Sequence, residues 1–359
     1  MPSKLQVPSP EIKDKPAAAG YYMPAEWMPH ESTWLSWPHN DITWPGKRMA
    51  VTRDIYLQML EALLPYEKVN LLAGGMIEKV RAFLKPKLTA KAMNNLILHD
   101  VRTVDAWIRD YGPTFVVNSK KEKAWVKWIF NAWGGKYEDL MQDTKIFENH
   151  SLVQYPCFEA GIVLEGGSIE VNGAGTCMTS EQCLLNKNRN PKLSKRQIEQ
   201  FLKDYLGVSQ ILWLNEGIVG DDTDGHIDDI ARFTDENTIL AAYEDDESDE
   251  NHGILKENWE RLKKAGNEKG KKWNLVKFPM PDKVADGNVR LPASYANFLI
   301  SNGTVLLPVF ECDTDDRAIK IARELFPKRE IVPITCNTLV YGLGTIHCVS
   351  QQEPIVSKI

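Results

Sequence analysis

The feature that most constrains the fold is an alternation of amphipathic helical stretches with short apolar runs. Residues 52–64 place Ile55, Met59 and Leu63 on one face and stop at Pro65, and residues 77–84 form a shorter stretch ending before Pro86. In residues 194–206, Ser194 and Gln197 make a capping box, Ile198, Phe201, Leu202 and Tyr205 make the stripe, and Gly207 is the stop. Residues 315–326 repeat the arrangement with Ile319, Ala322 and Phe326 before Pro327. Three of these helices are followed by runs that read as strands, at 69–72, 210–214 and 330–334. Further strand-like runs lie at 114–117, 124–130, 161–164, 238–242 and 304–309. Alternation of this kind predicts an α/β fold. A helix–strand–loop–strand unit recurs, yet no sequence self-similarity fixes its period.

A length of 359 residues would fill two average domains, but large pseudo-symmetric α/β folds hold as many in one unit. Residues 2–20 are rich in Pro, Lys and Ala and read as a mobile tail, with folding from about Tyr21 onward. No linker follows. The acidic run at 244–251 reads as a solvated loop, not a boundary. With 43 Lys+Arg against 49 Asp+Glu, the net charge of −6 lacks the footprint of a nucleic-acid binder, and a small cation is the more natural guest. No apolar stretch is long enough to cross a membrane, and the N-terminus carries Lys and Pro where a signal peptide has its apolar core. A cytoplasmic location is expected, so the six cysteines stay reduced, and none forms a C-x-x-C pair. The sequons at 149–151 and 302–304 are then chance matches.

Four segments gather polar groups around glycines. In the first, residues 105–114, Asp110 beside Gly112-Pro113 either points into a pocket next to Trp107 or caps its own turn. In the second, Glu165 ends an apolar run just before Gly166-Gly167, where a buried acid needs a partner and a surface acid would bond its own turn. The third, residues 220–229, holds Asp221, Asp222, Asp224, His226, Asp228 and Asp229. A calcium loop with Gly225 at its sixth position would start at Gly220 and end at Ala231, neither a ligand, so that reading fails. No second histidine stands at metal spacing, and acids around one histidine suggest a general acid/base in a negative pocket. The fourth, residues 341–352, carries His347-Cys348. On a strand the two would face opposite ways, which leaves His226 as the base for a Cys348 nucleophile.

In this order, the four segments resemble the agmatine deiminases of the peptidyl-arginine deiminase-like, guanidine-modifying superfamily, and look closest to the plant-type enzymes. The likeness spans nearly the whole folded chain, from Gly20-Tyr21-Tyr22-Met23-Pro24-Ala25-Glu26-Trp27 through Phe130-Asn131-Ala132-Trp133-Gly134-Gly135 and Cys183-Leu184-Leu185-Asn186-Lys187-Asn188-Arg189-Asn190-Pro191 to Ile346-His347-Cys348. It implies a tail at 1–20 and one catalytic domain at 21–359 with the pentein fold, an α/β propeller of five ββαβ-type blades in pseudo-fivefold symmetry. By position Cys348 matches the nucleophile, His226 the acid/base, Asp110 and Asp228 the carboxylates gripping the guanidinium, and Glu165 the acid orienting His226. Trp107 matches the residue beside the substrate's methylenes. Asp222, then Asp224, are expected to take the agmatine ammonium, with no Lys or Arg nearby to hold an α-carboxylate. Asp229, facing the other way along an extended segment, is expected to be a bystander.

The resemblance further implies hydrolysis of agmatine to N-carbamoylputrescine and ammonia in polyamine synthesis, without metal or organic cofactor, by a homodimer or higher oligomer. The alternatives are a deiminase of free or peptidyl arginine and, from another class, a cation-binding protein without turnover. Two departures stand out: Gly342-Leu343-Gly344-Thr345 replaces the family's Gly-Gly-Gly-Asn, implying a stiffer loop, and Asp224 stands where plant relatives carry Asn.

Overall fold

The computed structural model describes residues 15–148 and 152–356. Order begins before Tyr21: Pro16–Ala19 form a 3-10 turn closed by Gly20 at φ 79°, and Lys15 pairs with Asp204 on the helix Lys195–Leu206. The expected tail therefore keeps only residues 1–14, outside the described residues, and the sequon at 149–151 lies outside them too. Among the described residues no helix is long and apolar enough to cross a membrane.

One topological unit recurs through five sheets. A short strand pairs antiparallel with the next strand, which pairs parallel with a third reached by a crossover, the connection parallel pairing requires. The units are Thr114–Asn118, Lys123–Ile129 and Cys157–Val163; Glu170–Val171, Thr176–Ser180 and Gln210–Leu214; Ala231–Phe233, Thr238–Tyr243 and Asn274–Pro279. The fourth is Leu299–Ile300, Thr304–Val309 and Glu330–Thr335. In the fifth, Ser350–Pro354 from the C-terminal end pairs with His30–Ser36, which continues in parallel to Lys68–Leu72 and Leu96–His99. This sheet joins a strand near each end of the described chain. The crossovers are the helices Arg48–Leu63, Lys195–Leu206, Glu250–Lys264 and Asp315–Leu325, and in the first unit the 3-10 segment Glu138–Lys145.

The capping box and stop around Lys195–Leu206 stand as expected, with Gly207 at φ 65°, but Ile198, Leu202 and Leu206 are the buried residues while Phe201 and Tyr205 lie half out. Helix Arg48–Leu63 starts four residues earlier than the periodicity suggests. Part of the acidic run is not a loop, because Asp249 caps the helix Glu250–Lys264. That helix buries Asn251, Leu255, Asn258 and Leu262. Two asparagines in the stripe hide it from a hydrophobic count. They are buried because Asn251 Oδ1 takes the Val219 amide and Asn258 Oδ1 the Asn215 amide, at 2.8 and 2.7 Å.

Each unit's first antiparallel strand is short, and the chain entering it brings polar residues to one place. Asp110 precedes Thr114–Asn118, Glu165 precedes Glu170–Val171, Asp228 precedes Ala231–Phe233, Asn297 precedes Leu299–Ile300, and Cys348 precedes Ser350–Pro354. The site thus draws on the segment two to five residues before the first strand of each of the five units.

Candidate active site

Cys348, Asp110, Trp107 and Asp222 line a cavity of about 710 Å³. Its described lining includes seven carboxylates, Asp41, Asp105, Asp110, Glu138, Asp139, Asp222 and Asp286, and neither lysine nor arginine. Aromatic and apolar walls from Trp107, Trp133, Tyr137, Tyr341 and Leu343 complete it. A cavity with apolar walls and several acids suits a cationic molecule with an apolar stem.

Asp110 sits in the helical turn Ile108–Tyr111 and is buried. Its Oδ1 accepts the Gly167 N–H at 2.9 Å and its Oδ2 the Trp133 indole N–H at 2.8 Å. Trp133 reaches it from a strained turn in which Ala132 and Trp133 stand at φ 53° and 54°, a conformation that costs L-residues about 1–2 kcal/mol apiece. Burial, then the charges of Asp228 and Glu165, push the Asp110 carboxyl well above the usual carboxylate range. Asp228 lies in the 3-10 turn Ile227–Asp229. Burial acts upward on it too, but the hydrogen bond and charge of His347 carry its pKa below the ordinary value. The His347 Nδ1 is 2.7 Å from Asp228 Oδ2, and its Nε2 is 2.8 Å from Glu26 Oε2. Asp228 Oδ1 is buried and has no hydrogen-bond partner among the described residues, an acceptor open to a ligand.

Cys348 Sγ is 3.9 Å from Asp228 Oδ2. Burial, followed by Asp228, Asp229 and Asp110, pushes its thiol up. His226 is fully buried and burial lowers it to about 3, so it is neutral at ordinary pH. Its Nδ1 is 3.8 Å from Asp110 Oδ1, and neither ring nitrogen has a hydrogen-bond partner among the described residues. Gly167 is what leaves room for this cluster: a Cβ there would lie 2.5 Å from His226 Nδ1, 3.0 Å from Asp110 Oδ1 and 3.1 Å from Asp228 Oδ2.

Several expectations need correction. His347 and Cys348 lie in a turn before Ser350–Pro354, not on a strand; His347 is still not the base for Cys348, because both its nitrogens face carboxylates. Asp229 is no bystander facing away, since in a 3-10 turn it is buried and its carboxylate lies within 4.8 Å of both Asp228 and the Cys348 sulfur. Burial and Asp228 push it well up. Glu165 does lie within 4.8 Å of His226 and Cys183, but its Oε1 is held by Arg189 Nε at 2.6 Å, and no hydrogen bond links it to His226. Asp224 is not among the described residues that line the cavity. It stands at φ 67°, where Asn is the more frequent residue, and is shared by Arg189, Asn188 and Lys136 at 2.6, 2.9 and 2.9 Å. Asp222 does line the cavity, with Tyr137 donating to Oδ2 and Lys136 Nζ 3.5 Å from Oδ1. Cations therefore do stand near the acidic loop, contrary to expectation, but Lys136 and Arg189 are already paired with its carboxylates.

Among the described residues, the groups of His, Cys and acid atoms close enough to share a metal are Glu165–Cys183–His226 and Asp228–Asp229–Cys348, both built on residues of this site. Sequence reasoning missed Arg189, Trp133, Gly167, Asn297 and the partners of His347. Arg189 and Trp133 lie inside the stretches that carry the resemblance, and Asn297 holds in the fourth unit the place that Cys348 holds in the fifth.

The Porphyromonas-type peptidyl-arginine deiminase family model matches residues 22–354. The agmatine deiminase of Pseudomonas putida is 37% identical over 97% of this chain and 99% of its own. The agmatine deiminase of Enterococcus faecalis superposes with a TM-score of 0.89 at 31% identity, covering 97% of this chain and 100% of that one. DDAH of Pseudomonas aeruginosa, at 14% identity and a TM-score of 0.50 over 90% of this chain and 99% of its own, shares the fold alone. With its family model covering almost the whole described chain and a site assembled at five strand entrances, this chain belongs to the Porphyromonas-type peptidyl-arginine deiminase family.

Proposed function

We propose that this chain is an agmatine deiminase, hydrolysing agmatine to N-carbamoylputrescine and ammonia through a covalent intermediate on Cys348, in the synthesis of putrescine. The observation that carries the reading is Cys348 at the wall of a cavity with seven carboxylates and no lysine or arginine in its described lining. A guanidinium stays protonated up to a pH above about 12, so its burial calls for carboxylates, and Asp110 together with the open Oδ1 of Asp228 supplies two. The ammonium at the other end is met by Asp222 or another wall acid, with Trp107 along the methylenes.

The substrate's charge reverses the proton balance of the empty site. It favours ionised Asp110 and Asp229, and lets the Cys348 proton pass to neutral His226. The thiolate attacks the guanidinium carbon and forms a neutral tetrahedral adduct. The His226 imidazolium protonates one amino group, which leaves as ammonia, and an S-alkylthiouronium remains. Neutral His226 then takes a proton from water as the hydroxide adds to the same carbon. Collapse of that adduct expels the thiolate and, after loss of a proton, leaves the ureido product. Glu165, held by Arg189, lies beside His226 without a hydrogen bond to it. The reading extends to one catalytic domain, beginning at Pro16 rather than at Tyr21, whose five sheets are five blades about a pseudo-fivefold axis, acting in the cytoplasm as a homodimer or higher oligomer.

An arginine substrate would place an α-carboxylate among the wall acids. At a separation of about 4 Å and an effective dielectric near 20, one such repulsion costs about 4 kcal/mol, close to a thousandfold. Steady-state ammonia release from agmatine, free arginine and an arginine-containing peptide tests this: agmatine is expected to lead by about that factor. Equal efficiency with either arginine substrate would replace the proposal by an arginine deiminase. Cys348→Ser is expected to bind agmatine and release no ammonia.

A further inference from the structure

Asn297 enters the site from the fourth unit and is fully buried. Its Oδ1 receives the Thr345 hydroxyl at 2.8 Å and the backbone N–H groups of His347 and Cys348 at 3.1 and 3.3 Å. Backbone N–H groups can only donate, so the oxygen must face them and the amide nitrogen must face the other way. On that side lies Cys348 Sγ, 3.1 Å from Nδ2. The orientation of the amide is therefore dictated by its own bonds rather than by choice.

We propose that Asn297 is a further catalytic residue, whose Nδ2–H donates to the Cys348 sulfur and stabilises it as the thiolate. The inference rests on the deiminase reading for its role in turnover, but the thiol can be titrated without agmatine. Its physical need is plain. The charged groups facing the sulfur are Asp228 from the turn Ile227–Asp229, Asp229 beside it, and Asp110 from the turn Ile108–Tyr111, all of which oppose a negative sulfur. The Thr345 backbone also favours the thiolate, and Asn297 adds a fixed donor dipole that works before any substrate arrives. One side chain thus does three things, because the same amide nitrogen also bonds the Asp229 carboxylate and steadies a charge beside the sulfur. Its oxygen shapes the turn that carries Cys348, and its nitrogen contacts the reacting atom.

The test is the rate of Cys348 alkylation by iodoacetamide against pH, followed by mass mapping of the Cys348 peptide in agmatine-free protein. Asn297→Ala is expected to raise the midpoint by about one to two pH units and to slow alkylation below it by about ten- to a hundredfold, the range of a hydrogen bond to a charged group. Thr345→Val removes one bond to Oδ1 and slackens the turn while leaving Nδ2 on the sulfur, so its midpoint should match wild type. Should Asn297→Ala not fold, Asn297→Asp keeps the acceptor oxygen and should raise the midpoint at least as far. A wild-type midpoint in either folded Asn297 variant, or an equal shift in Thr345→Val, overturns the proposal. Failure of wild-type protein to release ammonia from agmatine would instead strike the deiminase reading and leave this titration standing.

Discussion

Agmatine binding should expel protons, and Asp110 should be a main source of them. In the empty site Asp110 is buried between Asp228 and Glu165 and its carboxyl is held well above the ordinary value, whereas a guanidinium on its oxygens stabilises the carboxylate. The sign follows. Below the empty-site pKa and above the bound-site pKa, each binding event releases a proton, and affinity rises with pH by up to about one log unit per pH unit for each such acid. Above the empty-site value the slope vanishes. Asp229, also raised, adds a contribution of its own. Asp110→Asn removes one source. Its amide nitrogen must face either the Gly167 N–H or the Trp133 N–H, donor against donor, a penalty of about 1–3 kcal/mol that relief from Asp228 and Glu165 partly offsets. Loss of a charged hydrogen bond to the guanidinium, about 1.5–3 kcal/mol, weakens binding by about ten- to a hundredfold, and kcat/KM should fall at least a hundredfold. Calorimetric titration of agmatine into Cys348→Ser protein, in two buffers of different ionisation enthalpy, counts the protons. Adding Asp110→Asn should lower the count by about one. The same count with and without Asp110, or none in either, would refute the reasoning.

Arg189→Met leaves Glu165 and Asp224 without their 2.6 Å partner; breaking such a buried pair costs about 3–5 kcal/mol, read by denaturant unfolding, and a loss below about 1 kcal/mol would contradict it. Gly167→Ala forces a methyl into His226, Asp110 and Asp228 and should cut kcat/KM by at least about a hundredfold in folded protein, a change of about 3 kcal/mol. Gly253→Ala, in a helix interior with nothing within 4 Å of the added carbon, should leave kcat/KM unchanged and stabilise the protein by about 0.5–1 kcal/mol in the same unfolding assay.

Features governed by neighbours along the chain are legible in the amino-acid order alone. The capping box at Ser194 and Gln197, the stops at Pro65 and Gly207, and the alternation of helix and strand are local, and they lead to the α/β class. Cys348, His226, Asp110 and Asp228 stand out because each sits among glycines and polar residues at the end of an apolar run, and the order of those segments supplies the family. What stays hidden depends on residues far apart in sequence. Helix Glu250–Lys264 is obscured because two of its buried positions are asparagines, tolerated inside only by acceptors that hold the loop at Asn215–Val219. Asp229 escapes a reading based on strand alternation because the chain forms a 3-10 turn there, and turning by about a third per residue keeps neighbours near one pocket. Asp224 has the residue type and place of a substrate ligand, but Arg189, thirty-five positions away, occupies it. Composition and local pattern set which groups are present and which segments can carry them. Only folding decides which acids share a cavity, which are neutralised by a buried cation and which keep a proton, because those outcomes follow from distances of a few ångströms between separate units and from the water that burial removes.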